Sequence, residues 1–143
     1  MGKLLAYNRL LRLYELLRVA ERGMWLAVLA ALMFLVTPAR GADVAAGQAV
    51  FSRCKICHTV DAGGRNIVGP NLHGIFGRKA GTLDKFAYSD AMRDSGIVWN
   101  DETLSKYLRD PKGFIPGDRM AFPGIEDEAQ LADLLAYLHQ ATQ

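Results

Sequence analysis

"SRCKICHTV", residues 52–60, holds both cysteines of the chain, two residues apart, with His58 directly after the second. Four chemistries suit two thiols at that spacing. A disulfide could span the two intervening residues. A thioredoxin-type site asks for a β-α-β setting, which the flanking pattern lacks. Half a zinc site needs two more ligands, and His73 is the one nearby candidate. The fourth is covalent attachment of haem, with thioether bonds from Cys54 and Cys57 to the porphyrin vinyl groups and His58 under the iron. On a helical turn, positions three apart share a face. Both thiols then point the same way, and His58 can swing to the metal. Haem attachment is the reading we take, because the rest of the chain supplies an export signal and a domain too thinly packed to fill its own centre.

The charge is unevenly spread. Six of the 17 basic residues (Lys3, Arg9, Arg12, Arg18, Arg22 and Arg40) and two of the 15 acidic ones (Glu15 and Glu21) lie before Gly41. The remainder is slightly acidic, with no excess of basic charge for a nucleic acid. "MWLAVLAALMFLV", Met24 to Val36, is an uninterrupted apolar run. It suits the core of an export signal better than a membrane span, which needs roughly 20 residues. Ala39 and Gly41 satisfy a small-x-small rule, so cleavage is expected after Gly41. Residues 1–41 are thus read as an export signal and 42–143 as the domain, placed in the periplasm. The segment Met1 to Gly23 is long, basic and amphipathic, with leucines at 4, 5, 10, 11, 16 and 17. Left uncleaved, it would anchor the protein on a membrane surface.

The domain reads as all-α. A helix is expected from about Val44 to Lys55, with Gly47 and Phe51 on one face. Asp61 to Gly81 is turn-rich loop, and Tyr88 to Gly96 a helical turn or two. "NDETLSKYLRDP" starts a helix at Asn100 or Asp101 and stops near Pro111. "EDEAQLADLLAYLHQ" is the strongest helix, with Leu131, Leu134, Leu135 and Leu138 on one stripe. No repeat and no sustained strand alternation is present. Few helices and long loops bury little apolar surface against the chain entropy of ordering. A cofactor would fill the centre.

A six-coordinate iron needs a second axial donor. Met92, Met120, His73 and His139 are the candidates. His139 falls at the polar end of the last helix and reads as a solvated residue. His73 reads as a turn residue with its ring bonded to backbone, and Met92 lies among polar neighbours. Met120 sits in "FIPGDRMAFPG", an extended segment broken by prolines and glycines that can lie flat against a porphyrin. Without a haem it would be a gap-filling core methionine. With one it leads. A His/Met pair raises the reduction potential, suits electron transfer and closes the iron to oxygen or peroxide.

Through "CKICHTV", "VGPNLHGIFGRKAG", "WNDETLSKYLRDP", "IPGDRM" and "LADLLAYL", the chain from about Asp43 to Gln143 resembles class I cytochrome c, of the mitochondrial-like type and its bacterial relatives. The resemblance implies a small all-α fold of few helices and long loops around one haem c attached through Cys54 and Cys57. It implies that Pro70 offers its carbonyl to the other nitrogen of His58, the orienting contact such a ligand needs. Arg78, Tyr88 and Trp99 would bond or shield the haem propionates, and Tyr107 would lie near the Met120 sulfur. Gly47, Phe51, Leu134 and Tyr137 would join the first and last helices. The chain also departs from the family. Asp118 replaces a hydroxyl residue beside a propionate, where a carboxylate would repel unless Arg119 or water intervened. Met92 replaces a polar residue that helps hold an internal water. The lysines are reduced to Lys55, Lys79, Lys85, Lys106 and Lys112, although Arg53, Lys55, Lys79, Lys112 and Arg119 would leave a positive patch near the haem edge.

The expected function is that of a periplasmic one-electron shuttle and not an enzyme. Partners would be a cytochrome bc-type complex, a terminal oxidase, a reaction centre or a periplasmic dehydrogenase. The protein would act as a monomer and touch a membrane only through an uncleaved leader. A rival reading, an enzyme or gas sensor in which Met120 leaves the iron, lacks a distal acid–base residue. The other rival, a zinc or disulfide module without haem, would be colourless.

Overall fold

The computed structural model describes residues 40–143, so the expected export signal lies almost entirely outside the described residues. Among the described residues five helices follow one another: α1 Val44–Phe51, α2 Asp90–Asp94, α3 Asp101–Arg109, α4 Pro111–Phe114 and α5 Glu128–Ala141. Among the described residues the β structure is a single bridge between Lys79 and Val98. The all-α expectation is met.

Side chains set most helix starts. Asp43 accepts from the N–H groups of Ala45 (2.9 Å) and Ala46 (3.2 Å) at the head of α1. Asp127 does the same for Ala129 and Gln130 at α5. Asn100 and Thr103 form a reciprocal capping box at α3, satisfying donors that the first turn leaves open. α1 is shorter than its pattern suggests. After Phe51 the chain tightens into three-residue turns, with Ser52 N–H on Ala49, Arg53 N–H on Val50 and Cys54 N–H on Phe51. Pro111 does not simply stop α3. It opens α4 at the first helical position, where a missing N–H costs nothing, and Asp110 caps that turn through Gly113 N–H.

α1 and α5 cross at very close range. A Cβ on Gly47 would lie 1.9 Å from the Asp133 carbonyl oxygen and 2.8 Å from Tyr137 Cβ. The Phe51 and Tyr137 rings sit 5.1 Å apart, and Asp43 N–H donates to Asp133 Oδ1 at 2.6 Å. Leu131, Leu134 and Leu138 point inward from α5 to meet Leu104, Tyr107 and Leu108 of α3 in one core. Met92 belongs to that core, at 6 % exposure. Its polar neighbours Asp90, Arg93 and Asp94 face outward, so the sequence context misstates its surroundings.

Candidate functional site

The turn after α1 carries the two thiols. Cys57 N–H and His58 N–H both donate to the Cys54 carbonyl, at 3.0 and 2.9 Å, closing one helical turn with Cys54 and Cys57 three apart. Neither cysteine is in a disulfide, and burial pushes the Cys54 thiol up. His58 Nδ1 lies 2.8 Å from the Pro70 carbonyl oxygen. A carbonyl only accepts, so the proton is on Nδ1 and the Nε2 lone pair is left for a metal. Burial holds the His58 pKa below its ordinary value, with the Pro70 bond opposing, and keeps the ring neutral. Gly69 packs against this ring so tightly that a Cβ there would lie 2.3 Å from Cε1.

Asn71 anchors the loop behind it. This buried amide donates from Nδ2 to Thr59 Oγ1 (2.6 Å) and to the Asp61 carbonyl (3.1 Å), while Oδ1 accepts from His73 N–H (2.9 Å). Sequence reasoning missed both Gly69 and Asn71. Their signal is present only in "GPNLHG", which flanks the carbonyl donor Pro70.

Around Met120 the groups come from α3 and from the segment after α4. The Tyr107 hydroxyl lies 2.5 Å from Asp118 Oδ2 and 3.7 Å from Met120 Sδ. Asp118 Oδ1 accepts from Arg119 N–H at 2.7 Å, and Oδ2 also accepts from Met120 N–H at 3.2 Å. The Arg119 contact expected near Asp118 is therefore made by its backbone. Burial first, and the hydrogen bond to Asp118 second, raise the Tyr107 phenol pKa. Trp99, 6 % exposed, tilts its ring against Tyr107 at 5.1 Å.

Arg78 links the two clusters. It donates to the carbonyls of Asn71 (3.1 Å) and His73 (3.0 Å), and its own carbonyl accepts from Trp99 N–H at 3.0 Å. Two of its five N–H groups are thereby occupied. Burial lowers its pKa, while burial raises that of neighbouring Tyr88 against the pull of the Arg78 charge. A continuous chain of contacts thus runs His58, Pro70, Asn71, Arg78, Trp99, Tyr107, Met120. Six of the sequence-based candidates, His58, Pro70, Arg78, Trp99, Tyr107 and Met120, are linked by these contacts.

The two spare histidines stand elsewhere. His73 makes its contacts through backbone, its N–H on Asn71 and its carbonyl on Arg78. His139 is more than a solvated surface residue. Its ring stacks on Phe76 at 3.7 Å, and Nε2 lies 2.6 Å from Asp101 Oδ1. A cleft of about 300 Å³ beside Phe51 and Tyr137 touches His58 and no other candidate.

The residues fit an attached haem on three counts. Both thiols are free and on one turn, an oriented imidazole presents a bare nitrogen, and apolar Leu72, Phe76, Ile97, Phe122 and Met120 pack against the core yet stay only half-buried. Comparison with known proteins agrees. Residues 44–142 match the family described as Cytochrome c. The chain is 50% identical over 105 residues to a cytochrome c2 of Blastochloris viridis, covering 73% of this chain and 83% of that protein. It is 46% identical over 104 residues to a cytochrome c of Gibberella zeae, covering 72% and 98%. Among solved structures, cytochrome cH from Methylobacterium extorquens superposes with a TM-score of 0.65 at 44% identity, covering 69% of this chain and 99% of that one.

Proposed function

We propose a function that proceeds from one fact: the chain belongs to the cytochrome c family. It is an electron-transfer haem protein, with haem c attached through Cys54 and Cys57. Beyond this, we propose that His58 and Met120 are the axial ligands and that the protein shuttles single electrons as a periplasmic monomer rather than acting as an enzyme. A cytochrome bc-type complex or a periplasmic dehydrogenase would reduce it. A terminal oxidase or a reaction centre would oxidise it.

When bound, the haem supplies reversible one-electron ferrous–ferric chemistry. What this chain contributes is rigidity and dryness. The Pro70 carbonyl fixes the His58 tautomer and ring angle, and Gly69 packs on the ring face, so the imidazole has no room to reorient when the charge changes. Trp99, Tyr107 and the buried leucines of α5 keep water from the interior. Arg78 and Tyr88, half-buried and adjacent, suit the propionate edge. Ile56 (73 % exposed) and Val68 (75 %) stand beside the cysteine turn and offer apolar contact to a docking redox partner.

The observation that carries this reading is the 2.8 Å contact from His58 Nδ1 to Pro70, which leaves Nε2 as a donor beside the two free thiols. The test is an absorption spectrum of the matured holoprotein, oxidised and reduced. A weak ferric band at the red end is expected from sulfur ligation. Met120→Ala should abolish it, modest cyanide should leave it in place in the oxidised unaltered protein, and carbon monoxide should leave the reduced spectrum unchanged. If the band is absent, or the iron takes up those ligands at once, the open-iron enzyme or sensor replaces the carrier.

A further inference from the structure

The carboxylate of Asp118 is 9 % exposed and faces three internal donors: Tyr107 O–H, Arg119 N–H and Met120 N–H. It is an all-acceptor site, and it lies in a stretch without regular secondary structure. Further bonds tie the same stretch down. Asp118 N–H donates to the Ile115 carbonyl at 3.0 Å, and Lys112 Nζ donates to the Asp118 carbonyl. From sequence, a carboxylate here reads as an electrostatic misfit. In the structure it is turned inward and fully engaged.

Tyr107 has one hydroxyl proton and two acceptors within reach, Asp118 Oδ2 at 2.5 Å and Met120 Sδ at 3.7 Å. A charged oxygen at short range makes one of the stronger hydrogen bonds in proteins, and a thioether sulfur is a weak acceptor. The proton goes to Asp118. We propose that Asp118 is a positioning residue for the axial methionine: it fixes the Arg119–Met120 backbone and withholds the Tyr107 proton from the Met120 sulfur. The sulfur then keeps its lone pairs for the iron. This rests on Met120 being the ligand. The inference goes beyond that reading, because the ligand could equally have shared its sulfur with the phenol.

The test uses four holoproteins: unaltered, Tyr107→Phe, Asp118→Ala and the double variant. It reads the position of the red sulfur–iron band and the rate at which cyanide displaces the sulfur. In the unaltered background Tyr107→Phe should leave the band in place, because the sulfur never held that proton. In the Asp118→Ala background the released phenol turns to the sulfur, so adding Tyr107→Phe should move the band. Cyanide displacement should be at least about tenfold faster in Asp118→Ala, from the loss of a charge-assisted bond and two backbone contacts. If the alanine variant does not mature, Asp118→Asn keeps the shape but replaces one of the two acceptor oxygens with an N–H₂ donor, and a smaller acceleration in the same direction is expected. A band that shifts with Tyr107→Phe in the unaltered background overturns the inference. Unchanged cyanide kinetics in the Asp118 variants overturn it as well. A band missing from the unaltered protein overturns the ligand assignment itself, so the two failures are distinguishable.

Discussion

A methyl group added at Gly69 would stand 2.3 Å from His58 Cε1 and 2.7 Å from Nδ1, so Gly69→Ala must displace the ring or the Pro70 loop. We expect a loss of about 1–3 kcal/mol, the usual cost of overpacking, measured as a lower guanidinium midpoint of the holoprotein. Tyr88 gives a pH prediction. Burial raises its phenol pKa in the folded state. The unfolded chain therefore releases this proton near the ordinary tyrosine value of about 10 while the folded chain retains it. The unfolded state then binds fewer protons, and stability falls as pH rises past that value. Tyr88→Phe should make the alkaline fall shallower in a series of denaturant titrations. Contiguous pattern made Cys54, Cys57 and His58 legible, and the family resemblance made legible the Pro70 contact to His58 and the approach of Tyr107 to Met120. The inward turn of Asp118 was not legible, because it is decided by Tyr107 on a separate helix. The Phe76–His139–Asp101 cluster was hidden for the same reason, since its members come from three distant parts of the chain.

Among the elements, α1 and α5 depend on each other most. Gly47→Ala gains about 1 kcal/mol in helix propensity. It also drives a Cβ into the Asp133 carbonyl, a backbone group held by its own helix. A clash of about 3 kcal/mol outweighs the gain, and a fall in Tm of about 10 °C is expected by calorimetry. Helix types and starts were legible in the sequence because caps and apolar stripes are local, as at Asn100 and Leu131–Leu138. The ends were less so. α1 stops at Phe51 because tight turns bring the thiols round, and Pro111 starts a turn where its sequence position suggests only a stop. In both cases the outcome depends on which carbonyl wins a competing N–H, which side-chain pattern does not encode.

For the molecule, charge is the property that meets a partner. After Gly41 the chain holds 11 basic and 13 acidic residues, and several of the basic ones are engaged internally, including Arg78, Lys112 and the Arg109–Glu128 pair. Long-range steering should be weak. The second-order rate with a redox partner is expected to change by less than about tenfold between ~0.02 and ~0.5 M salt, read by stopped-flow absorbance; a steeper fall would mean a concentrated patch dominates. The crossing of α1 on α5 also bears on how the protein is made. Its two members are separated by nearly the whole domain, so the contact carries the largest loop-closure entropy in the fold and is expected late in folding. Cys54 and Cys57 follow directly on α1. The close approach at Gly47 therefore also steadies, through α1, the turn that carries both thiols.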